Sequence, residues 1–311
     1  MLTLPDRFLD SDLETVLVLE DDVDFDIRLR SVQIPLAASA ARSLLPPAKT
    51  YSPFAPFSKV RTKHTHYWGN PSSWDLLYLG HCGDYFGGLK EGRFDRSNRA
   101  LDLNSTPHAH YRDPSLPPKS QLHPFTKELF DILGVHDHHR VFHPSKFPLC
   151  SFGYAVTRPA AERLLTDLAA PRLTPEGPRA FDVALLHACL KEPKLPSSIP
   201  RKSFQQYPEP KLQTKHDSVG LRCWTLNPEL FHHMPGKSHI AQIEQSQGGS
   251  AGIPPVDAAA EPQIRERNET TNIDCGFWGG AFAFDDNDIV RLRFLQEHVG
   301  RRGKCLKRGK T

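Results

Sequence analysis

A short apolar run, Val16-Leu17-Val18-Leu19, empties into Glu20-Asp21-Asp22-Val23-Asp24. The run is β-branched, leucine-rich and without a helical period, so it reads as a buried strand. Open α/β sheets hold their ligands beyond the carboxyl ends of their strands, and this strand would hold Glu20, Asp21, Asp22 and Asp24 there. Carboxylates this close repel one another, and a divalent cation relieves the repulsion. Oxygen-only ligands suit Mg²⁺ or Mn²⁺, which bind through one or two carboxylates plus substrate phosphates. The competing reading is a solvated acidic turn that binds nothing.

The rest of the chain alternates strands and helices. Residues 35–45 read as a helix with Pro35 near its start and Ala37, Ala41, Leu44 and Leu45 on one face. Pro46-Pro47 stops it, and residues 60–67 are a further strand candidate within a loop-rich stretch. Trp74-Asp75-Leu76-Leu77-Tyr78-Leu79-Gly80 is a second strand, followed by the turn-like His81-Cys82-Gly83-Asp84. Residues 84–140, rich in Pro, Gly, His and charge, suggest a long surface excursion. Residues 149–156 form a third strand, and Thr157 is placed to cap a helix over 158–169 whose inward side is Leu164, Leu165 and Leu168. Asp182 is placed to cap a helix over 183–191 with Val183, Leu186 and Leu190 as its buried stripe. This is an α/β pattern over residues 1–235. A Gln/Gly/Ser/Pro-rich linker follows at 236–270, then a segment at 271–311 with a short helix expected near 288–299.

Bulk properties exclude several classes. The net charge of +3 comes from Arg301, Arg302, Lys304, Lys307, Arg308 and Lys310, without which the chain is net acidic. Charge therefore argues against a nucleic-acid binder. No run approaches the roughly 18 apolar residues of a membrane span, and the acid-bearing first residues do not form a signal peptide. The 6 cysteines contain no Cys-x-x-Cys, which removes a zinc ribbon and leaves redox compartment open. Cys82 and Cys150 either pair or stay as buried thiols.

The order of four segments resembles glycosyltransferase family 25, particularly its fungal members. They are Leu19-Glu20-Asp21-Asp22-Val23, Trp74-Asp75-Leu76-Leu77-Tyr78-Leu79-Gly80, Ser151-Phe152-Gly153-Tyr154-Ala155-Val156-Thr157 and Phe181-Asp182-Val183-Ala184-Leu185, with Pro210-Lys211-Leu212-Gln213 a weaker fifth. The resemblance implies a GT-A-like (Rossmann-like) mixed sheet with flanking helices. It also implies transfer of a hexose, with inversion, from a nucleotide-diphosphate sugar such as a UDP-hexose to a hydroxyl of a glycan or protein. Glu20, Asp21 and Asp22 would carry the metal motif, with Asp22 and Asp24 toward the nucleotide-sugar. Asp182 would be the general base or an acceptor ligand, against a plain helix-capping role. Asp75 divides equally between a site role and a structural one. The secretory pathway is the location the family implies. Family members carry a further strand and helix before the acidic motif, whereas residues 1–15 alone precede Val16 here. The sheet is therefore expected to be incomplete at its N-terminus, from a truncated gene model or a degraded copy.

Two other functions use the same residues: a metal-dependent phosphoesterase, and an inactive sugar- or nucleotide-binding remnant. A serine-hydrolase elbow is missing from the sequence. The histidines gather at His64/His66, His108/His110 and His136/His138/His139/His143. That spacing is open to zinc or another transition metal, or to simple solvation in polar loops. Trp68, Trp74, Tyr78, Tyr85 and Phe86 are placed either to stack on a sugar or to fill the core.

Overall fold

The computed structural model describes residues 8–20, 23–45, 66–84, 89–90, 93–94, 106–122, 124–169, 180–191, 219–233, 282–304 and 306. Within them the chain is mixed α/β, built on a six-stranded mixed sheet. Its strands are β1 (Thr15–Leu19), β3 (Leu76–Gly80), β7 (Ala109–Arg112), β8 (His139–Pro144), β10 (Gly153–Thr157) and β11 (Cys223–Asn227), in the spatial order β1-β10-β3-β11-β8-β7. β1 pairs antiparallel with β10, β10 antiparallel with β3, and β3 parallel with β11. Strands β1, β3 and β11 therefore point the same way, and their carboxyl ends lie along one edge. Three small ribbons flank the sheet. β2 (Val23–Phe25) pairs with β12 (Phe231–His233), β4 (Gly83–Asp84) with β9 (Pro148–Leu149), and β5 (Leu89–Lys90) with β6 (Arg93–Phe94).

Both faces of the central strands are covered. Leu77 and Leu79 of β3 join Ala37, Ala40 and Ala41 of helix α1 (Ile34–Leu44) in one core, with Trp74, Phe142 and Phe231. Leu76 and Tyr78 face a second core with Ala160, Ala161 and Leu164, from helix α3 (Arg158–Arg163) and its π-helical continuation (Leu164–Leu168). Leu185 and Ala188 of helix α4 (Phe181–Leu190) complete that core. A strand covered on both sides reads as an unbroken apolar run, which is why Leu76–Gly80 is so plain in the sequence. Gly80 closes β3 and Gly153 opens β10, both against Phe231. A Cβ at Gly153 would stand 2.8 Å from the Phe231 ring and 2.9 Å from the Leu19 side chain.

Several expectations need correction. β1 is an edge strand among the described residues, with Leu17 at 43% and Leu19 at 39% exposure. Only Val16 and Val18 pack inward, against the second core. Within the stretch read as a surface excursion, residues 85–88, 91–92 and 95–105 lie outside the described set, and the described part from 106 on is built in: it supplies β7, the start of β8 and helix α2 (Pro124–Leu133). Leu116, Leu122, Leu129, Phe130, Val135 and Val141 there form a third core. The polar composition hid it because Asp113 and Arg140 are buried as a pair. Residues 149–156 divide into β9 and β10, with Cys150–Phe152 between them in neither strand. Thr157 occupies the N-cap of α3, but its hydroxyl makes no capping bond.

Asp182 is not an N-cap. Ala180 holds that position and Asp182 lies in the first turn. Helix α4 buries Ala184, Leu185, Leu186 and Ala188, while Leu190 is 48% exposed. A helix apolar nearly all round has no stripe to read. The expected C-terminal helix is present as α5 (Ile289–Leu295) with a π-helical extension, and Asp288 caps it through the Arg291 N–H at 2.9 Å. Of the strand considered over 60–67, residues 60–65 lie outside the described set and His66 and Tyr67 lie in a turn. The linker at 236–270 and the Pro210–Gln213 segment also lie outside it. No helix among the described residues is long and apolar enough to cross a membrane.

Candidate functional site

The carboxyl edge of the sheet collects the polar groups. Glu20 leaves β1 with its N–H donating to the Phe152 carbonyl at 2.9 Å, one step beyond the β1–β10 ladder. Its exposed carboxylate accepts from the buried Ser151 hydroxyl at 3.2 Å. Beside Ser151, Cys150 takes φ 62°, a left-handed conformation uncommon for a non-glycine residue. It is held there by a disulfide to Cys82, whose N–H donates to the Leu149 carbonyl at 2.8 Å.

Two tyrosines stand within electrostatic reach of Glu20 and Asp182. Tyr154 and Tyr78 are register partners on β10 and β3. Burial and the Glu20 charge push the Tyr154 phenol up to about 12. Burial, Asp84 and Asp182 hold the Tyr78 phenol well above its ordinary value. Both phenols therefore stay protonated across the physiological range and do not act as bases. The half-exposed Phe181 ring stands 6.3 Å from Tyr154, so the first turn of α4 brings Phe181 and Asp182 toward this pair. The Asp182 carboxylate accepts the Val183 N–H at 2.8 Å. If a proton acceptor is needed here, it has to be a carboxylate.

Asp24 lies elsewhere. It is fully buried in β2, opposite His232 of β12, and accepts the Phe25 N–H at 2.7 Å. Glu229 at the end of the β11–β12 connection pairs with His232 at 3.0 Å. Burial opposes its ionisation, yet His232 and His81 hold its carboxyl far below the usual range. Asp84 is structural: its oxygens accept the Lys146 and Phe147 N–H groups and the Thr225 hydroxyl. Asp75 is structural as well, forked by Arg222 at 2.8 and 2.9 Å. Trp74 and Tyr78 are core residues, while Tyr85 and Phe86 lie outside the described residues.

Of the expected metal ligands, Glu20 is described and exposed, and Asp21 and Asp22 lie outside the described residues. Among the described residues no three His, Cys, Asp or Glu side chains are set around one ion. The described part of the acidic set is thus one carboxylate of the right type, Glu20, facing solvent. Sequence reasoning missed Ser151 and Tyr154 as its neighbours, because Ser151 was taken into the strand that begins at Gly153. No family model, curated protein or solved structure matches the chain.

Proposed function

We propose that the chain is a metal-dependent glycosyltransferase of the family 25 type, with its sheet a GT-A-like (Rossmann-like) one. It moves a hexose from a nucleotide-diphosphate sugar, a UDP-hexose, to a hydroxyl on a glycan or protein. One observation carries the reading. The four segments that are scattered in sequence are neighbours in space, since β1, β10 and β3 are consecutive strands and the first turn of α4 faces the tyrosines of the last two. Ordered motifs that assemble into one corner argue for a shared site.

In this reading Glu20, Asp21 and Asp22 hold a Mn²⁺ or Mg²⁺ ion, and Asp22 also turns toward the donor. When bound, the cation neutralises charge on the departing diphosphate. Asp24, being buried, positions the acidic turn from β2 rather than touching the donor. Asp182 takes the acceptor proton as the new bond to the anomeric carbon forms and the bond to the diphosphate breaks. The phenols of Tyr154 and, in the core beneath it, Tyr78 stay protonated and do not compete for that proton. The disulfides Cys82–Cys150 and Cys189–Cys223 suit an oxidising compartment, in keeping with a secretory location.

Asp182→Asn tests the assignment. Mn²⁺-dependent UDP binding is expected to survive in this variant, while transfer falls by roughly 10²–10⁴. An unchanged transfer rate would remove Asp182 from the chemistry.

A further inference from the structure

Helix α4 leaves one aromatic ring uncovered at the carboxyl edge of the sheet. Phe181 lies four residues before Leu185 and seven before Ala188, so the three share one face of the helix. Leu185 and Ala188 are buried in the second core, whereas Phe181 is 45% exposed. The same face is thus covered at one end and open at the other. The Phe181 ring stands 6.3 Å from Tyr154, which follows Gly153 on β10. Gly153 is the register partner of Leu19 and Gly80, the last residues of β1 and β3. Phe181 therefore overhangs the edge at which those strands end. Polar groups gather around the same tyrosine. Asp182 is the residue next to Phe181 and half-buried, and the exposed Glu20, whose charge reaches the Tyr154 phenol, accepts from the Ser151 hydroxyl at 3.2 Å.

We propose that Phe181 is a stacking platform for a hexopyranose, so that the acceptor at this site is a sugar hydroxyl of a glycan and not a side-chain hydroxyl of a protein. A pyranose presents an apolar face of C–H groups and a rim of hydroxyls. The face suits an aromatic ring, whose π cloud is negative, and the rim suits carboxylates and hydroxyls. Phe181, with Asp182, Glu20 and Ser151, offers both kinds of contact at one edge. An aliphatic side-chain hydroxyl brings no ring face for Phe181 to cover. The platform is also held in place before a ligand arrives. Leu185 anchors α4 in the second core, and the Cys189–Cys223 disulfide ties the helix to β11. Such preorganisation lowers the ordering cost of binding. The assignment rests on the transferase reading, in which Asp182 takes the acceptor proton; its neighbour Phe181 therefore meets the acceptor and not the donor nucleobase.

Saturation-transfer NMR of the full chain with the methyl glycosides of galactose, glucose and mannose reads sugar binding directly, without catalysis. The parent chain is expected to bind at least one of them. Phe181→Ala should weaken that binding about tenfold, the order expected for an aromatic contact and its buried area, and Phe181→Trp should keep it. Phe181→Leu retains apolar bulk on the helix and removes the π face. It should lose binding as the alanine variant does, and it carries the test alone if circular dichroism shows the alanine variant unfolded. In transfer assays the loss should appear as a rise in KM of about tenfold, with kcat little changed. Calorimetry with UDP and Mn²⁺ separates this assignment from the transferase reading, since the Phe181 variants should bind UDP as the parent does. Three results overturn the proposal: undiminished glycoside binding by folded Phe181→Leu, no glycoside binding by the folded parent, or loss of UDP binding in the variants, which would give the ring to the nucleobase. A parent chain that binds a glycoside through Phe181 but no UDP supports the platform while removing the transferase.

Discussion

Replacing Cys82 and Cys150 together by serine is expected to lower the unfolding free energy by about 4 kcal/mol. The bridge spans 68 residues, and cross-linking a loop of that length removes roughly this much entropy from the unfolded chain. The second bridge, Cys189–Cys223, spans 34 residues and contributes a similar amount of about 4 kcal/mol. Domains are stable by only about 5–15 kcal/mol, so losing both bridges consumes most of the margin. The two bridges also differ in what they hold. Cys82–Cys150 fixes the loop that presents Ser151 to Glu20, while Cys189–Cys223 ties α4 to β11 beneath the second core. Denaturant titration of each double-serine variant reads the energies. Loss of the first bridge should also disturb donor binding more than loss of the second. Unchanged midpoints in both variants would contradict the account.

Arg140→Met should cost about 3–5 kcal/mol, the range for leaving a buried charge without its partner. Arg140 is buried in β8, where its Nε donates to Asp113 at 2.7 Å. Its Nη1 donates to the Pro228 carbonyl and, at 2.8 Å, to the Glu229 carbonyl. One guanidinium thus joins the end of β7 to the β11–β12 connection. Burial alone would raise the Asp113 carboxyl, but Arg140 and the Ser115 hydrogen bonds hold it below its ordinary value. Without Arg140 the buried Asp113 carboxylate keeps its Ser115 hydrogen bonds but loses its counter-ion, and two carbonyls lose their donor. Adding Asp113→Asn removes the stranded charge and keeps an acceptor for Ser115, so the double variant should recover part of the loss. Equilibrium unfolding of the two variants checks both statements. A cost below 1 kcal/mol for Arg140→Met would contradict them.

The sequence displayed β3 because both its faces are buried, and α1 because alanines recur on one side. It displayed the existence of β1 but not its place, since a four-residue apolar run looks alike at a sheet edge and at its centre. Leu17 and Leu19 are exposed even though they belong to that run. The third core was illegible for a different reason: β7 and β8 carry His110, Arg112, His139 and Arg140, and the burial of Arg140 depends on its pairing with Asp113, 27 residues away. Helix α4 was legible as a helix and illegible in orientation, being apolar around most of its surface. Its disulfide to β11 joins a helix to a strand with no spacing motif to announce it. For the candidate site, Glu20 and Asp182 were legible by residue type and motif order. Ser151, Tyr78 and Tyr154 became site neighbours only through the β1–β10–β3 pairing.

Calorimetric titration of the folded chain with UDP, with and without Mn²⁺, tests the central claim most directly. The account predicts binding that requires the cation and is lost in Asp22→Ala, with Glu20→Ala weakening it. Absence of UDP binding by the folded, disulfide-bonded chain would contradict a working donor site and leave the inactive remnant as the better description.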